Sequence, residues 1–150
     1  MQLWQVFKYI HILAVITAVG ANATYQFWYS RAGRDKERLV WVIESVRQLD
    51  RRVANPAYLV LLVAGIGIVL TGPFTFQAFW VSSAIVLYIV VAALGGALYA
   101  PAIRRQLAAA EADPTSPEYD RATRQSRLLG GLVLLIVLLI VALMVFKPTP

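Results

Sequence analysis

The stretch LLGGLVLLIVLLIVALMVF, residues 128–146, contains no charged side chain and consists mainly of Leu, Val and Ile. About 20 helical residues cross a hydrocarbon core about 30 Å thick, so this stretch predicts a membrane-spanning helix. Comparable apolar stretches occupy residues 3–29, 57–71 and 76–100. None of them alternates polar and apolar residues as a membrane barrel strand does. We therefore expect an all-α fold, an integral membrane four-helix bundle in which residues 1–150 form a single transmembrane domain.

The composition leads to the same class of protein. Residues of the AVILMFWYC set make up 59% of the chain and charged residues 15%, against about 45–50% and about 25% in soluble domains. A chain of this length with so few polar residues cannot cover its apolar side chains, so the apolar excess must face lipid. The sequence contains no Cys, which excludes a disulfide framework and thiolate chemistry.

The basic residues predict the orientation of the chain. All of the 14 Lys and Arg residues except Lys8 and Lys147 lie between the first and second spans or between the third and fourth. Since positive residues favour the cytoplasmic side, we expect residues 31–52 and 102–126 to be cytoplasmic and both termini to lie outside. This distribution explains the pI of about 10.0, and no nucleic-acid partner is expected.

The first cytoplasmic segment has the pattern of an amphipathic helix, which we expect on the inner leaflet or packed under the bundle. Its apolar residues at helical spacing are Leu39, Val42, Ile43, Val46, Leu49 and Val53. We assign its charged residues to the remaining arc of the helix, at Arg38, Glu44, Arg47, Asp50 and Arg51.

Proline and capping residues predict where the helices begin and end. Asn55-Pro56 is a start signal for the second span, with Asn55 as the N-cap. The third span is expected to end near Pro101, and its helix to continue over residues 102–112 into the second cytoplasmic segment. Asp113-Pro114 breaks the second cytoplasmic segment, after which Thr115 or Ser116 caps the last helix.

The polar residues of the first span share one side of the helix. At 100° per residue, His11 and Asn22 fall on one line flanked by Tyr25, whereas Gly20 lies opposite. A polar stripe in lipid is expected to pack against a neighbouring helix. Small residues let helix backbones approach closely in membranes, and the positions expected to pack in this way are Gly20, Ser82, Gly96, Gly65 and Gly67.

His11 is the one ionisable residue within the spans that is not near an edge. A neutral imidazole there can ligate haem iron or donate a hydrogen bond to a neighbouring helix. With a single His in the chain, a second haem ligand would be Met144 or His11 of another copy. No cluster of residues predicts another metal site or a catalytic centre, so a non-enzymatic role is favoured and an enzymatic one stays open.

Five parts of the chain carry a resemblance to a known family. They are KYIHILAVITAVGA (8–21), RQLDR (47–51) with Pro56, the segment 65–67, FWVSSAIVLYIVVAALGGALYAPAIRRQL (79–107) and LMVFKP (143–148). Together they resemble a bacterial family of predicted four-helix integral membrane proteins of unknown function. The resemblance implies a multi-pass protein of the bacterial plasma (inner) membrane. Through Lys8 and His11, that family is distantly similar to the haem-binding membrane protoporphyrinogen oxidases and to copper-resistance D-type proteins, which implies His11 as a ligand of b-type haem.

Three functions are consistent with these features. The first is a non-enzymatic scaffold, assembly factor or accessory subunit, working as a homo-oligomer or in a larger membrane complex within the lipid bilayer. The second is a haem-binding redox or haem-handling protein that uses His11. The third is a carrier for a small neutral or hydrophobic molecule along the stripe from His11 to Asn22.

Overall fold

The computed structural model describes residues 2–149. The chain is 88% helical, no strand occurs among these residues, and four helices are long and apolar enough to cross a membrane. The predicted all-α membrane fold is therefore confirmed. The α-helical segments are α1 (Leu3–Ala32), α2 (Lys36–Leu49), α3 (Asn55–Thr71), α4 (Phe79–Leu94), α5 (Ala100–Ala112) and α6 (Pro117–Phe146).

Two π-helical turns join four of these segments into two longer helices. Asp50–Ala54 connects α2 to α3, and Gly95–Tyr99 connects α4 to α5, so helix continues over Lys36–Thr71 and Phe79–Ala112. A proline follows each π turn, and its ring lacks an N–H and crowds the carbonyl of the preceding turn. A wider turn accommodates this without breaking the helix. The segment α3 begins at Asn55, where the Asn55-Pro56 signal predicted a helix start, and the third long helix continues past Pro101 to Ala112, as expected. The expected N-cap role of Asn55 is wrong, because the π turn leads into it as continuous helix.

The long helices form two pairs. The first pair is α1 with α3, and the second is α4 with α6. Between residues 2 and 149, the backbone of α4 comes close to neither α1 nor α3, so the two pairs are separated along much of the apolar region. Large apolar side chains on both pairs face outward, including Leu70, Ile89 and Leu135, each more than 60% exposed. These side chains require a lipid bilayer around the molecule.

The most buried core lies at the arginine-rich end, by which we mean α2, α5, the last turns of α1 and the first turns of α6. Here α2 turns its apolar face towards α5, so it packs under the bundle, which is one of its two predicted placements. The buried residues of this core are Tyr25, Ala32, Leu39, Val42, Ile43, Val46, Ile103, Leu107, Ala110 and Tyr119. Asp35 caps α2 through the backbone N–H of Arg38, and Ser116 caps α6 through that of Tyr119.

The opposite end, which we call the terminal end, is held together by aromatic side chains. The ring of Phe74 lies edge-on to Trp4 of α1 and to Trp80 of α4, with centroids 6.2 and 5.6 Å apart. The ammonium of Lys147, directly after α6, lies 5.0 Å from the centroid of the Phe74 ring. Aromatic and cation–π contacts therefore join both ends of the chain to the 72–78 connection.

Two of the five predicted packing positions lie in a close contact between α1 and α3. A Cβ added at Gly67 would lie 2.8 Å from the ring of Phe7, and one at Gly65 would lie 3.2 Å from the ring of His11. The prediction is wrong within this chain for Gly20 and Gly96, where an added Cβ would meet no atom within 4 Å. It is also wrong for Ser82, which is exposed and bonds its hydroxyl to carbonyls of its own helix.

We expect Gly67→Ala to lower the free energy of unfolding by about 1–3 kcal/mol, because the new methyl group would overpack the contact with Phe7. Gly20→Ala is the matched control and should leave the free energy unchanged or slightly higher. Denaturant titration of both variants in detergent measures the difference. Equal stability of the two variants would contradict the close contact between α1 and α3.

The basic residues predict that intact cells expose the terminal end and shield the arginine-rich end. Because the chain has no Cys, a thiol introduced by Gln77→Cys or Thr115→Cys is its only thiol. A membrane-impermeant maleimide should label the first variant in intact cells and the second only after permeabilisation. The reverse pattern would invert the predicted orientation.

Candidate functional site

A cavity of about 540 Å³ lies between the two helix pairs, and we call it the chamber. All four long helices and both π turns contribute to its wall. Its apolar wall includes Leu59, Val91, Val133 and Leu134. Its polar wall, towards the arginine-rich end, includes Asn22, Tyr25, Asp50, Asn55, Tyr99 and Arg127. A mostly apolar cavity of about 300–1,000 Å³ with a few convergent polar groups is typical of a small-molecule site.

Hydrogen bonds between side chains fix the polar wall of the chamber. The amide nitrogen of Asn22 donates to the hydroxyl of Tyr58 at 2.7 Å, and the hydroxyl of Tyr25 donates to the carboxylate of Asp50 at 3.3 Å. Both bonds run from α1 to the long helix that contains α3. Tyr88 of α4 donates to the backbone carbonyl of Tyr58 at 3.0 Å. This third bond crosses the gap between the two helix pairs.

Asp50 is the functional candidate that the sequence analysis missed. We assigned it to the polar arc of the amphipathic helix, and that assignment was wrong. At 100° per residue, Asp50 falls between Val46 and Ile43, within the apolar face. An acidic residue on a buried face is the signal that could have identified it. The first π turn begins at Asp50, and π turns occur frequently at functional sites.

A second cavity of about 350 Å³ opens at the arginine-rich end, and we call it the vestibule. Its wall includes Arg47, Arg51 and Arg104, together with Tyr29. The residues that line both cavities are Asp50, Asn55, Tyr99 and Ala100. The chamber and the vestibule are therefore neighbours, with Asp50 and Tyr99 in the wall between them.

Each cavity has one buried polar atom in its wall that lacks a hydrogen-bond partner. In the chamber this atom is Oδ1 of Asn22, and in the vestibule it is the hydroxyl of Tyr29. A buried polar group without a partner costs about 1–3 kcal/mol, so nearly all such groups in proteins are paired with protein, water or ligand. Because Asn22 and Tyr29 line the cavities, a bound molecule is a candidate partner for each of these atoms.

Comparison with known proteins supports the membrane architecture. The sequence pattern of a family described as "predicted integral membrane protein (DUF2269)" matches residues 5–148. The chain belongs to this family. No curated protein and no solved structure matches the chain. The resemblance seen in the sequence is therefore confirmed for the DUF2269 family, and the more distant likeness to haem-binding oxidases stays a prediction.

In this DUF2269 protein, His11 lies in the contact between α1 and α3 and is not part of the wall of either cavity. Its Nδ1 is 2.8 Å from the carbonyl oxygen of Leu61. Because a carbonyl only accepts, Nδ1 carries the proton and Nε2 keeps its lone pair. The imidazole thus joins α1 to α3, while Nε2 keeps the form that binds a metal. Met144, the other predicted ligand, is half-buried on α6.

The predicted polar stripe of α1 faces α3 along its whole length. His11 bonds to Leu61, Asn22 to Tyr58 and Tyr25 to Asp50. The three residues do not line one cavity, because only Asn22 and Tyr25 reach the chamber. No group of three or more His, Cys, Asp or Glu side chains in the described part of the chain could hold a metal ion.

We expect His11→Gln to change the free energy of unfolding by no more than about 0.6 kcal/mol, the average for hydrogen bonds between helices in a membrane. The glutamine amide can still donate to the carbonyl of Leu61. Thr17→Val is a suitable control, since the hydroxyl of Thr17 bonds only within α1. Denaturant titration in detergent measures both variants. A much larger loss in His11→Gln alone would indicate that His11 holds a ligand.

Proposed function

We propose that this protein binds a small amphipathic molecule inside the membrane and acts as its carrier. The observation that supports this proposal is the chamber, because it combines apolar walls with a fixed polar group of side chains at one end. The apolar part of a ligand would lie against Leu59, Val91 and Leu134. Its polar head would lie near Asn22 and Asp50. This is the carrier hypothesis of the sequence analysis with two changes: the site is the chamber instead of the His11–Asn22 stripe, and the ligand is amphipathic instead of neutral or hydrophobic.

Unpaired hydrogen-bond acceptors support a ligand orientation with the polar head towards the arginine-rich end of the chamber. Asn22 has one partner, Tyr58, and its Oδ1 is free to accept a hydrogen bond from a ligand. The Asp50 carboxylate accepts hydrogen bonds from the side chains of Tyr25 and Asn55, and a carboxylate can accept several. A ligand with hydroxyl hydrogens next to its polar head would satisfy these acceptors, whereas a purely apolar molecule would leave them unpaired.

The cellular setting is part of the proposal. We infer that the protein lies in the plasma membrane of a bacterium, with the arginine-rich end in the cytoplasm, in keeping with the positive-inside rule. In this orientation the vestibule opens to the cytoplasm and the chamber lies in the cytoplasmic half of the bilayer. A carrier in this position would bring an amphipathic molecule from the membrane to the cytoplasmic surface.

The proposal is tested by filling the chamber. Ala92 lines the chamber and its neighbour Ala93 does not, while both are exposed on α4. We expect the wild-type protein, purified in a mild detergent, to retain a small amphipathic molecule that native mass spectrometry and organic extraction detect. Ala92→Phe should lose it, because the ring would occupy the same space, and Ala93→Phe should keep it.

Other outcomes would favour the other two functions. A stoichiometric protein partner or homo-oligomer, with no small molecule in the wild-type protein, would support the scaffold or accessory subunit. A Soret absorption band that disappears in His11→Ala would support haem binding. Equal retention of a molecule by Ala92→Phe and Ala93→Phe would show that it binds outside the chamber, and the carrier proposal would then be wrong.

A further inference from the structure

The vestibule is rich in guanidinium groups that have no ion-pair or hydrogen-bond partner among residues 2–149. Arg47 and Arg51 approach it from α2 and the first π turn, and Arg104 approaches from α5. Among the residues that the structure describes, the ion pair within 4.0 Å is Arg34–Asp120, which lies outside the vestibule. The three arginines therefore keep their hydrogen-bond donors available.

Acidic residues offset this charge only in part. The vestibule contains three guanidinium groups and two carboxylates, those of Glu44 and Asp50. The Asp50 carboxylate accepts the hydroxyl of Tyr25, so part of its hydrogen-bonding capacity is directed towards α1. The side chains that line the vestibule therefore carry a net positive charge. Such a cavity attracts an anion.

The donors in the vestibule match the chemistry of an oxyanion. A guanidinium group presents its N–H donors in a plane and can bind a phosphate or carboxylate through two parallel hydrogen bonds. The hydroxyl of Tyr29 is buried in the same wall without a partner and adds a neutral donor. A cationic head group would find three like charges here, so the vestibule discriminates against it.

The position of the vestibule links this anion to the ligand of the chamber. Asp50, Asn55, Tyr99 and Ala100 line both cavities, so a single molecule can extend from one cavity into the other. Its apolar part would lie between the helix pairs, and its head would pass Asp50 and Tyr99 to reach the arginines.

We propose that the vestibule binds an oxyanion head group, phosphate or carboxylate, and that the ligand of the chamber is consequently an anionic amphiphile. Arg47, Arg51 and Arg104 bind the anion, and Tyr29 donates a further hydrogen bond to it. The inference rests on the proposed carrier function for the apolar part of the ligand, whereas the anion site depends on the vestibule alone.

The chain offers matched controls for this proposal. All four of Arg51, Arg52, Arg104 and Arg105 are exposed, but Arg51 and Arg104 line the vestibule and the adjacent Arg52 and Arg105 do not. All four arginines lie in the basic segments whose positive charge is expected on the cytoplasmic side of the membrane whether or not a ligand binds. Arg51→Gln and Arg104→Gln therefore test the site, and Arg52→Gln and Arg105→Gln test the general positive charge of this end.

The experiment is a calorimetric titration of the full chain in nanodiscs of zwitterionic lipid, with empty nanodiscs as the blank. The probes are dodecyl phosphate, dodecanoate, dodecyltrimethylammonium and inorganic phosphate. We expect dodecyl phosphate or dodecanoate to bind, with affinity reduced by about tenfold or more in Arg51→Gln and Arg104→Gln. The two control variants should stay within about twofold of wild type. Tyr29→Phe, which keeps the ring, should weaken binding by less than the arginine variants.

The probes separate this proposal from the proposed function. Equal losses in Arg104→Gln and Arg105→Gln, or equally tight binding of dodecyltrimethylammonium, would overturn the anion site and leave the chamber in place. Two results together would support the anion site and overturn the chamber as a ligand site. The first is that inorganic phosphate binds and loses affinity in the same arginine variants. The second is that Ala92→Phe leaves the binding of dodecyl phosphate unchanged. Binding of inorganic phosphate alone would identify a free anion as the ligand, and binding of dodecyl phosphate or dodecanoate alone would identify a lipid-like one.

Discussion

The site of this protein depends on how two helices keep their backbone hydrogen bonds around a proline. No water is present in the hydrocarbon core to pair with a free N–H or C=O group, so the helices that cross it must stay intact up to its border, where Pro56 and Pro101 lie in the predicted spans. At Pro56 and Pro101 the chain instead forms a π turn and continues as helix. Asp50 belongs to one π turn, Gly95, Gly96 and Tyr99 belong to the other, and all four residues line the chamber. The response of the backbone to two prolines thus supplies part of the wall of the candidate site.

The gap between the helix pairs persists because the two ends of the molecule hold the pairs together. At the arginine-rich end, side chains such as Leu39, Ile43 and Leu107 are nearly or fully buried, and burial away from water stabilises that contact. At the terminal end, Phe74 and Lys147 join the helix ends. Between these two ends, the surrounding lipid is as apolar as the side chains, so no hydrophobic effect drives the two helix pairs together. An internal chamber can exist there at little cost in stability.

The sequence predicted the helical class and the apolar spans because both depend on composition and length. It predicted the capping of α6 because a capping residue acts within its own turn. It failed where the outcome depended on neighbouring helices. Pro56 signalled the start of a separate helix, because in water a proline usually ends the preceding one, whereas α2 continues into α3 through a π turn. The pairing of α1 with α3 brings Gly65 and Gly67 of α3 into contact with α1 and leaves Gly20 of α1 facing outward. The spacing of residues along one helix does not show which neighbouring helix it will pack against.

The case of Asp50 is different, because its position could have been read from the helical phase. The residue lies on the same face as Val46 and Ile43, and the assignment to the polar arc followed residue type instead of angle. A charged group on that face must meet either water or a partner. The structure gives it both a partner, Tyr25, and a place beside two cavities. An acidic residue on the apolar face of a membrane-adjacent helix therefore indicates a cavity, even before any fold is known.

Glycine usage along the chamber supports the same view of the site. Small residues in membrane helices usually bring two backbones together, as Gly67 does against Phe7. Gly95, Gly96 and Gly131 line the chamber, yet an added Cβ at any of them would meet no atom within 4 Å. These three glycines provide no close packing inside the chain, and glycine lowers helix stability relative to alanine. The three glycines enlarge the chamber, since a larger side chain such as leucine at any of these positions would narrow it. This open space beside the three glycines is the volume that the proposed ligand would occupy.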